Sequence, residues 1–183
     1  MTKDDFKRVV REKMKGYGFS SRQGRYYKMI GNDYLIGVSL DHSPYTNGYY
    51  VEYGVVYLPD EEKYPFRGWY DWESRFKFTC DGSAELEGLH PGIYGRYDTD
   101  LVGECAGYEY RSEENLAHEL DVNYEKCIVP LFDKEFALND YRSDWTMFRV
   151  IPYDDVKKIC RLAGLDYEEV KRVRDGRITK WPL

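Results

Sequence analysis

The stretch that decides the fold runs Tyr49-Tyr50-Val51-Glu52-Tyr53-Gly54-Val55-Val56-Tyr57-Leu58. Side chains of a β-strand point alternately to its two faces, so the residues at 49, 51, 53, 55 and 57 share one face. Tyrosine and valine at these positions suit a strand that packs against a core. The alternation therefore predicts a central strand, with Glu52 as the charged residue on its other face.

The segments around this strand predict an antiparallel sheet. Residues 25–30 and 34–40 alternate in the same way and are joined by a turn at Asn32-Asp33. The segment 42–48 leads into the tyrosine strand at hairpin distance. Two further strands are predicted where alternate residues are apolar, at Phe76, Phe78 and Cys80 and at Ala106, Tyr108 and Tyr110.

Helices are predicted before and after these strands. Thr2 precedes an amphipathic pattern that stops at Gly16, and Ser112 precedes a second pattern in which Pro130 should kink or restart the helix. A third helix opens at Pro152 and Asp154 and ends at Gly164, and a short one follows from residue 166 to near Gly176. The apolar stripes are Phe6, Val9, Val10, Met14 and Tyr17; Leu116, Leu120, Tyr124, Cys127, Ile128 and Leu131; and Val156, Ile159, Cys160 and Ala163.

The order of these elements predicts one α+β domain over residues 1–183. In this fold a single antiparallel sheet of about five strands carries the N-terminal helix and the C-terminal helices on one face. A chain of 183 residues is long enough for one compact domain with one core. Residues 151–183 form a C-terminal helical extension of this domain.

The composition argues against several kinds of site and location. The longest stretch without a charged residue, 42–51, is too short for a membrane helix, and the N-terminal residues lack a signal-peptide pattern, so the cytoplasm is expected. The four cysteines lack C-x-x-C spacing and are expected to be reduced. His118 lacks the paired histidine of a metal motif, and no glycine-rich phosphate motif occurs, so neither a metal nor a cofactor is predicted.

Several segments together carry a resemblance to a known family. They are Gly18-Phe19, the strand from Tyr34 to Leu40, the stretch from Gly48 to Val55, and Pro130-Leu131-Phe132. The chain resembles the bacterial family called domain of unknown function 4304 over roughly residues 3 to 135. The resemblance implies an α+β fold and transfers no catalytic residues. The sequence departs from the family pattern at Leu40-Asp41-His42-Ser43, where a polar residue similar to glutamine often follows the inner strand.

Charge is distributed unevenly along the chain. Residues 1–31 carry a net charge of +6, residues 32–150 carry −14, and residues 151–183 carry +2. The acidic middle part predicts a surface that attracts a basic protein and repels nucleic acid. The basic side chains near the start are interpreted as the solvated side of the first helix and its surroundings; they are Lys7, Arg8, Arg11, Lys13, Lys15, Arg22, Arg25 and Lys28, beside Tyr26 and Tyr27.

The segment 64–72 is the densest aromatic cluster between two predicted strands. Tryptophan, tyrosine and arginine are the residues that most often dominate binding interfaces. Two interpretations stay open, a lid over the sheet edge and a recognition loop at the surface. In the second interpretation the partner-binding residues are Phe66, Arg67, Trp69, Tyr70, Asp71, Trp72 and Glu73.

These observations favour a non-catalytic protein-binding module with an acidic, tyrosine-rich face, of an accessory or immunity type. The alternative is a hydrolase or transferase with a cleft near His42, in which Asp41 and His42 supply acid or base groups. Neighbouring residues of a strand point to opposite faces, so Asp41-His42-Ser43 cannot form a catalytic triad. A deep pocket beside His42 would favour the alternative.

Overall fold

The computed structural model describes residues 1–57, 74–82, 102–143, 153–168 and 170–171. The chain divides into two compact units, residues 1–132 and 133–183. The single domain over residues 1–183 stays a prediction. Within the described ranges, no helix is long and apolar enough to cross a membrane.

The first helix, α1, spans Lys3–Gly16 and forms as predicted. The Thr2 side chain accepts from the backbone N–H of Asp5, and the Asp5 carboxylate accepts from the backbone N–H of Thr2, so both ends of a capping box are present. Phe6, Val9, Val10 and Met14 are buried, which anchors the helix through its apolar face.

The main sheet is antiparallel throughout. Five of its strands lie side by side in the order of the sequence. A sixth strand pairs with the first residues of the fourth, Gly48 to Tyr50. These strands are β1 (Ser20–Arg22), β2 (Arg25–Ile30), β3 (Tyr34–His42), β4 (Gly48–Tyr57), β5 (Ser74–Arg75) and β8 (Cys105–Gly107). A separate two-stranded sheet joins β6 (Phe78–Thr79) to β7 (Val102–Gly103).

The tyrosine strand β4 lies at the centre of the sheet, and its odd-numbered side chains form the packed face. Tyr53 is 1% exposed and its ring lies 5.4 Å from that of Phe76. On the same face, Phe6 of α1 stacks on Tyr49 at 5.1 Å and the Tyr34 hydroxyl donates to the Leu131 carbonyl at 2.7 Å. Helical segments from both ends of the first unit therefore pack on one face of the sheet, and the α+β class is confirmed.

The prediction of one strand over Phe76 to Cys80 is wrong, because the segment breaks into β5 and β6. Between them, the backbone N–H of Lys77 donates to Asn123 Oδ1 at 2.8 Å and its carbonyl accepts from Asn123 Nδ2 at 2.7 Å. A helix side chain thus satisfies the backbone groups that a neighbouring strand would have satisfied. The segment consequently leaves the main sheet at this point.

The predicted strand through Tyr108 and Tyr110 is also too long. Strand β8 ends at Gly107, and Tyr108–Tyr110 form a 3₁₀ turn. The Gly107 carbonyl accepts from Arg111 Nη1 at 2.8 Å, and the Tyr108 N–H donates to the Asn47 carbonyl at 3.1 Å. These local bonds turn the chain towards the next helix.

The second helix changes pitch along its length. Helix α2 spans Glu113–Asn123, a π-helical turn follows at Tyr124–Ile128, and a 3₁₀ turn follows at Val129–Phe132. Pro130 has no N–H for a regular helical bond, so the α-helix does not continue through it. The change of pitch keeps Leu116, Leu120, Cys127, Ile128 and Leu131 buried.

The second unit contains helices α3 (Lys134–Ser143) and α4 (Tyr153–Ala163). The sequence did not predict α3, in which Asp133 Oδ1 accepts from the Phe136 N–H at 3.0 Å and starts the helix. Helix α4 follows the prediction, with Val156, Ile159 and Cys160 buried. It ends at Gly164, whose φ of +66° suits glycine.

Candidate functional site

A cavity of about 820 Å³ lies at a step in the edge of the sheet. Strand β2 begins at Arg25, which pairs with Ser39 of β3. Strand β3 continues through His42, and in this stretch its described pairing is with β4 alone. The shorter strand therefore leaves a recess beside residues 40–42 from which both faces of the sheet can be reached.

Helix α1 lines one side of the cavity with cations. Lys3, Lys7 and Arg11 are spaced four residues apart and therefore lie on successive turns of one helix face. Among the described residues, none of the three forms a salt bridge. The Nζ atoms of both lysines lie 5.7 Å from the centre of the Tyr49 ring. Their charge is therefore directed to the cavity and not neutralised by a carboxylate.

The β1–β2 hairpin brings two arginines to the opposite side. Gln23 and Gly24 form its tip with φ values of +50° and +78°, which are typical of the type I′ turn that joins twisted strands. Arg22 and Arg25 pair directly across this turn and both line the cavity. The glycine therefore permits a tight turn that places both arginines at the cavity.

A row of polar residues crosses the sheet below the hairpin. The pairings join Arg22 to Arg25, Arg25 to Ser39, Ser39 to Glu52 and Glu52 to Arg75. Directly opposed residues share a face, so this row is on the face opposite to Tyr49. The cavity consequently has a polar floor that is rich in both signs of charge.

Glu52 is the buried carboxyl group of this row, at 5% exposure. Its Oε1 accepts from Arg75 Nε at 3.0 Å, whereas its Oε2 has no hydrogen-bond partner. Burial raises the pKa of Glu52, and the nearby Arg75 guanidinium only partly opposes this effect. One oxygen of this buried carboxyl group is therefore unsatisfied.

Tyr49 presents the second unsatisfied atom. The residue is 3% exposed and its hydroxyl has no hydrogen-bond partner. Phe6 stacks on its ring and the His42 ring meets it edge-on, each with ring centres 5.1 Å apart. A buried polar atom without a partner costs about 1–3 kcal/mol.

The cavity has a positive balance of charge. Five cationic side chains line it, from α1 and the hairpin, against the carboxyl groups of Asp41 and Glu52. Converging charges of one sign in a concave site concentrate ligands of the opposite sign. The arrangement is suited to an anionic ligand.

The structure agrees only in part with the interpretation of the basic residues near the start of the chain as solvated charges. Lys7, Arg11, Arg22 and Arg25 converge on the cavity, where they are joined by Lys3. Other members of the group have structural partners: Arg8 pairs with Glu113, Lys13 with Asp121, and Lys28 with the Tyr17 carbonyl. Sequence reasoning missed the cationic residues of the site, although the four-residue spacing on α1 was a signal for them, whereas the cleft of the enzyme alternative was predicted near His42, which lines this cavity.

The structure places the other candidate residues, Asp41, His42 and Ser43, in different environments. Ser43 is buried, and its hydroxyl accepts from the backbone N–H groups of Tyr45 and Thr46, so it stabilises a turn. His42 and Asp41 both line the cavity, as the enzyme alternative requires. In the described part of the chain, no cluster of three or more histidine, cysteine or carboxylate side chains could hold a metal ion.

The predicted partner-binding segment 66–73 lies outside the described residues, so its role stays a prediction. Within the described ranges, most tyrosines of β4 are buried, including Tyr49, Tyr53 and Tyr57. They stabilise the core and do not form an exposed face. Among the tyrosines of the described ranges, the most exposed are Tyr45 at 89% and Tyr110 at 71%.

Comparison with known proteins gives no match. No protein-family model, curated protein or solved structure matches this chain. The resemblance to domain of unknown function 4304 therefore stays a prediction, and the function has to be argued from the cavity.

Proposed function

We propose that this protein binds a small anionic ligand in the cavity between α1 and the β1–β2 hairpin. The observation that carries the proposal is the convergence of Lys3, Lys7 and Arg11 with Arg22 and Arg25 around about 820 Å³ of space. Like charges repel one another, so an anion bound in the cavity would reduce the repulsion among these side chains. The protein as a whole has a net charge of −6, so the excess of positive charge at the cavity is a local feature and does not follow from the overall charge.

The shape of the site supports a small molecule over a polymer. Small-molecule sites are concave and typically enclose roughly 300–1,000 Å³, and the volume of this cavity falls within that range. A nucleic acid would need an extended basic surface, and the overall negative charge opposes its approach. Recognition of a basic protein through residues 66–73 stays a separate prediction.

Titration with pyrophosphate tests the proposal. Isothermal titration calorimetry should detect binding whose affinity falls as sodium chloride is added, because salt screens the charges. The double variant Lys7→Ala/Arg11→Ala should bind at least about tenfold more weakly, since a hydrogen bond to a charged group contributes about 1.5–3 kcal/mol. Lys15→Ala is the matched control, because Lys15 lies on the same helix, is exposed and does not line the cavity.

Two results would contradict the proposal. One is the absence of pyrophosphate binding up to millimolar concentrations. The other is an equal loss of affinity in the cavity variant and in Lys15→Ala, which would indicate non-specific attraction to the basic helix. A short single-stranded oligonucleotide at the same phosphate concentration should compete poorly with pyrophosphate.

A second candidate function is a hydrolase or transferase that acts in the same cavity. It is favoured by the presence of His42 and of a carboxyl group, Glu52, whose burial raises its pKa. Carboxyl groups with raised pKa values often act as general acids. Release of inorganic phosphate from a bound phosphate ester, followed by ³¹P NMR and abolished by His42→Ala, would support an enzyme. An unchanged spectrum would leave the protein as a binder.

A further inference from the structure

The end of β3 beside the cavity is an open edge of the sheet. Residues 40–42 pair with β4 on one side, whereas on the other side the pairing with β2 ends at Arg25 and Ser39. Within the described ranges, no other strand pairs with this stretch. A strand rises about 3.3 Å per residue, so the stretch is about 10 Å long. An open strand edge is a place where a further extended segment can add to a sheet.

The hydrogen-bond pattern of β3 and β4 turns the backbone of His42 towards the recess. Opposite residues of an antiparallel pair alternate between those that exchange backbone hydrogen bonds and those that do not. The Ser43 N–H donates to the Gly48 carbonyl at 3.0 Å, so the next pair, His42 and Tyr49, is of the second kind. The N–H and carbonyl of His42 consequently point away from β4, and among the described residues they have no hydrogen-bond partner.

These two backbone groups favour a ligand that contains peptide groups. His42 is exposed, so a ligand can approach this edge of the strand. The N–H needs an acceptor and the carbonyl needs a donor, and one residue of an antiparallel strand supplies both. A phosphate group offers acceptors and leaves the carbonyl without a donor.

The cations of α1 favour an acidic side chain on such a ligand. Directly opposite residues share a face of the sheet, so a ligand residue that pairs with His42 points to the face of Tyr49. On this face two lysine Nζ atoms lie 5.7 Å from the centre of the Tyr49 ring in β4. Burial raises the pKa of Tyr26 in β2, and the nearby Arg11 guanidinium opposes this effect. The cations thus extend from β4 to β2 across the open end of β3.

The opposite face of the sheet carries a balanced charge. The cross-strand row of Arg22, Arg25 and Glu52 lies on this face. Asp41 lies on it too, because it is two residues from Ser39, a member of the row. Two carboxyl groups therefore balance two guanidinium groups here. Successive side chains of an extended ligand alternate between the two faces, so negative charge is favoured at every second position.

We infer that the ligand is a short acidic peptide that adds to β3 as an antiparallel strand. One residue of the peptide pairs through its backbone with His42, and acidic side chains at alternate positions point towards Lys3, Lys7 and Arg11. This inference rests on the proposed function, because it takes the basic cavity as the place where the carboxylates bind.

Two peptides of the same composition and charge test the arrangement of the acidic side chains. In acetyl-Thr-Glu-Thr-Glu-Thr-amide the glutamates share a face, whereas in acetyl-Thr-Glu-Glu-Thr-Thr-amide they point to opposite faces. Isothermal titration calorimetry should show that the alternating peptide binds about tenfold more tightly, as expected for one more interaction with a charged group. Equal affinities would overturn the assignment of the acidic side chains to one face.

N-methylation of the peptide backbone tests strand addition without changing any charge. When a glutamate pairs with His42, the N–H groups of both glutamates point to β3 and those of the threonines point away from it. N-methylation of both glutamates should weaken binding at least about fivefold, because it removes hydrogen bonds. N-methylation of the central and last threonines is the matched control and should have less than about a twofold effect. Equal effects of the two modifications would show that charge alone holds the peptide.

Two measurements on the protein complete the test. Amide hydrogen exchange should show protection of the His42 N–H at saturating peptide, while the Asp41 N–H, which by the same alternation points to β4, keeps its rate. Lys7→Ala/Arg11→Ala should weaken binding of the alternating peptide at least about tenfold, and Lys15→Ala should not. An unprotected His42 N–H in the complex would overturn the strand addition.

The outcomes distinguish this inference from the proposed function. If pyrophosphate and both peptides fail to bind up to millimolar concentrations, the proposed function is wrong and this inference falls with it. If pyrophosphate binds and the alternating peptide does not, the cavity is a site for other anions and only this inference is overturned.

Discussion

At the scale of single residues, buried polar side chains in the core have hydrogen-bond partners, whereas two at the cavity have an atom without one. The Tyr34 hydroxyl donates to the Leu131 carbonyl, and the Tyr17 hydroxyl donates to Asp121. Tyr53 forms a side-chain hydrogen bond with the Cys127 thiol. The unsatisfied buried side-chain atoms in the described part of the chain belong to Tyr49 and Glu52, and both residues line the cavity.

Replacing Tyr53 with alanine should destabilise the fold. The ring is 1% exposed and packs against Phe76 in the centre of the core, so its loss should leave a cavity and cost about 3 kcal/mol or more. Urea unfolding followed by circular dichroism measures this difference. Tyr45→Ala is the control, because Tyr45 is 89% exposed and should change stability by less than about 0.5 kcal/mol. Equal midpoints for Tyr53→Ala and the native protein would show that the assigned core face is wrong.

Glu52 should make the stability of the protein depend on pH. Because its pKa is raised from the ordinary value of 4.5 by burial, the folded state holds this proton more tightly than the unfolded state. Its contribution to stability is therefore lost as pH rises from about 4.5 through the folded pKa. Asp5 acts in the opposite direction, since hydrogen bonds from Thr2 lower its pKa. The comparison of native protein with Glu52→Gln across this pH range isolates the Glu52 contribution, and parallel curves would contradict it.

At the scale of secondary-structure elements, helix α2 holds the segment that follows β5. Glu119 is fully buried and accepts from the Thr79 N–H at 2.8 Å and from Arg111 Nε at 2.7 Å. Arg111 in turn donates to the carbonyls of Thr79 and Gly107. This network joins α2 to β6 and to the end of β8, and so it takes the place of a longer strand pairing.

Removing one partner of the Arg111–Glu119 pair should be strongly destabilising. Arg111→Met leaves the Glu119 carboxylate buried without its cation, which should cost about 3–5 kcal/mol in urea unfolding. The double variant Arg111→Met/Glu119→Gln should lose less than the sum of the single variants, because no charge then remains unpaired. Strictly additive losses would mean that the two side chains act independently. The exposed pair Lys157–Asp154 provides a control, and Lys157→Met should have an effect below about 1 kcal/mol.

At the scale of the whole molecule, the cysteines report on the two compact units. None of the four forms a disulfide, and Cys80 is exposed, Cys105 half-buried, and Cys127 and Cys160 buried. Cys127 belongs to the first unit and Cys160 to the second. Burial raises the pKa of Cys127 to about 11, which leaves little reactive thiolate near neutral pH.

Thiol labelling should therefore proceed in a fixed order. Cys80 should react first in the folded protein, Cys105 more slowly, and Cys127 and Cys160 only when the chain unfolds. Mass spectrometry of alkylated peptides at increasing urea concentration measures each site. Coincident exposure of Cys127 and Cys160 would support one domain over residues 1–183, and separate transitions would indicate two independent domains. Fewer than four reactive thiols after denaturation without reductant would contradict the free-thiol assignment.

The sequence by itself determined most of the longer regular elements of this protein. The period-two pattern of residues 49–57 and the three- to four-residue spacing in α1, α2 and α4 are local, and burial of an apolar face favours the same element wherever it packs. Pro130 and Gly164 likewise change or end a helix through their own backbone chemistry.

Only the tertiary structure decided which distant groups meet. The backbone of Lys77 bonds to Asn123 and not to a strand, and this choice splits the predicted fourth strand. Lys7 and Arg11 looked like solvated helix charges until the hairpin brought Arg22 and Arg25 to the same cavity. Side-chain hydrogen bonds and electrostatic interactions depend on distance in space. At the cavity, the distances between side chains are determined by the unequal lengths of β2 and β3 and by the packing of α1 on the sheet. Local periodicity contains no information on these distances, so most of the longer elements could be predicted from the sequence, whereas of the site only its position near His42 was predicted, in the enzyme alternative.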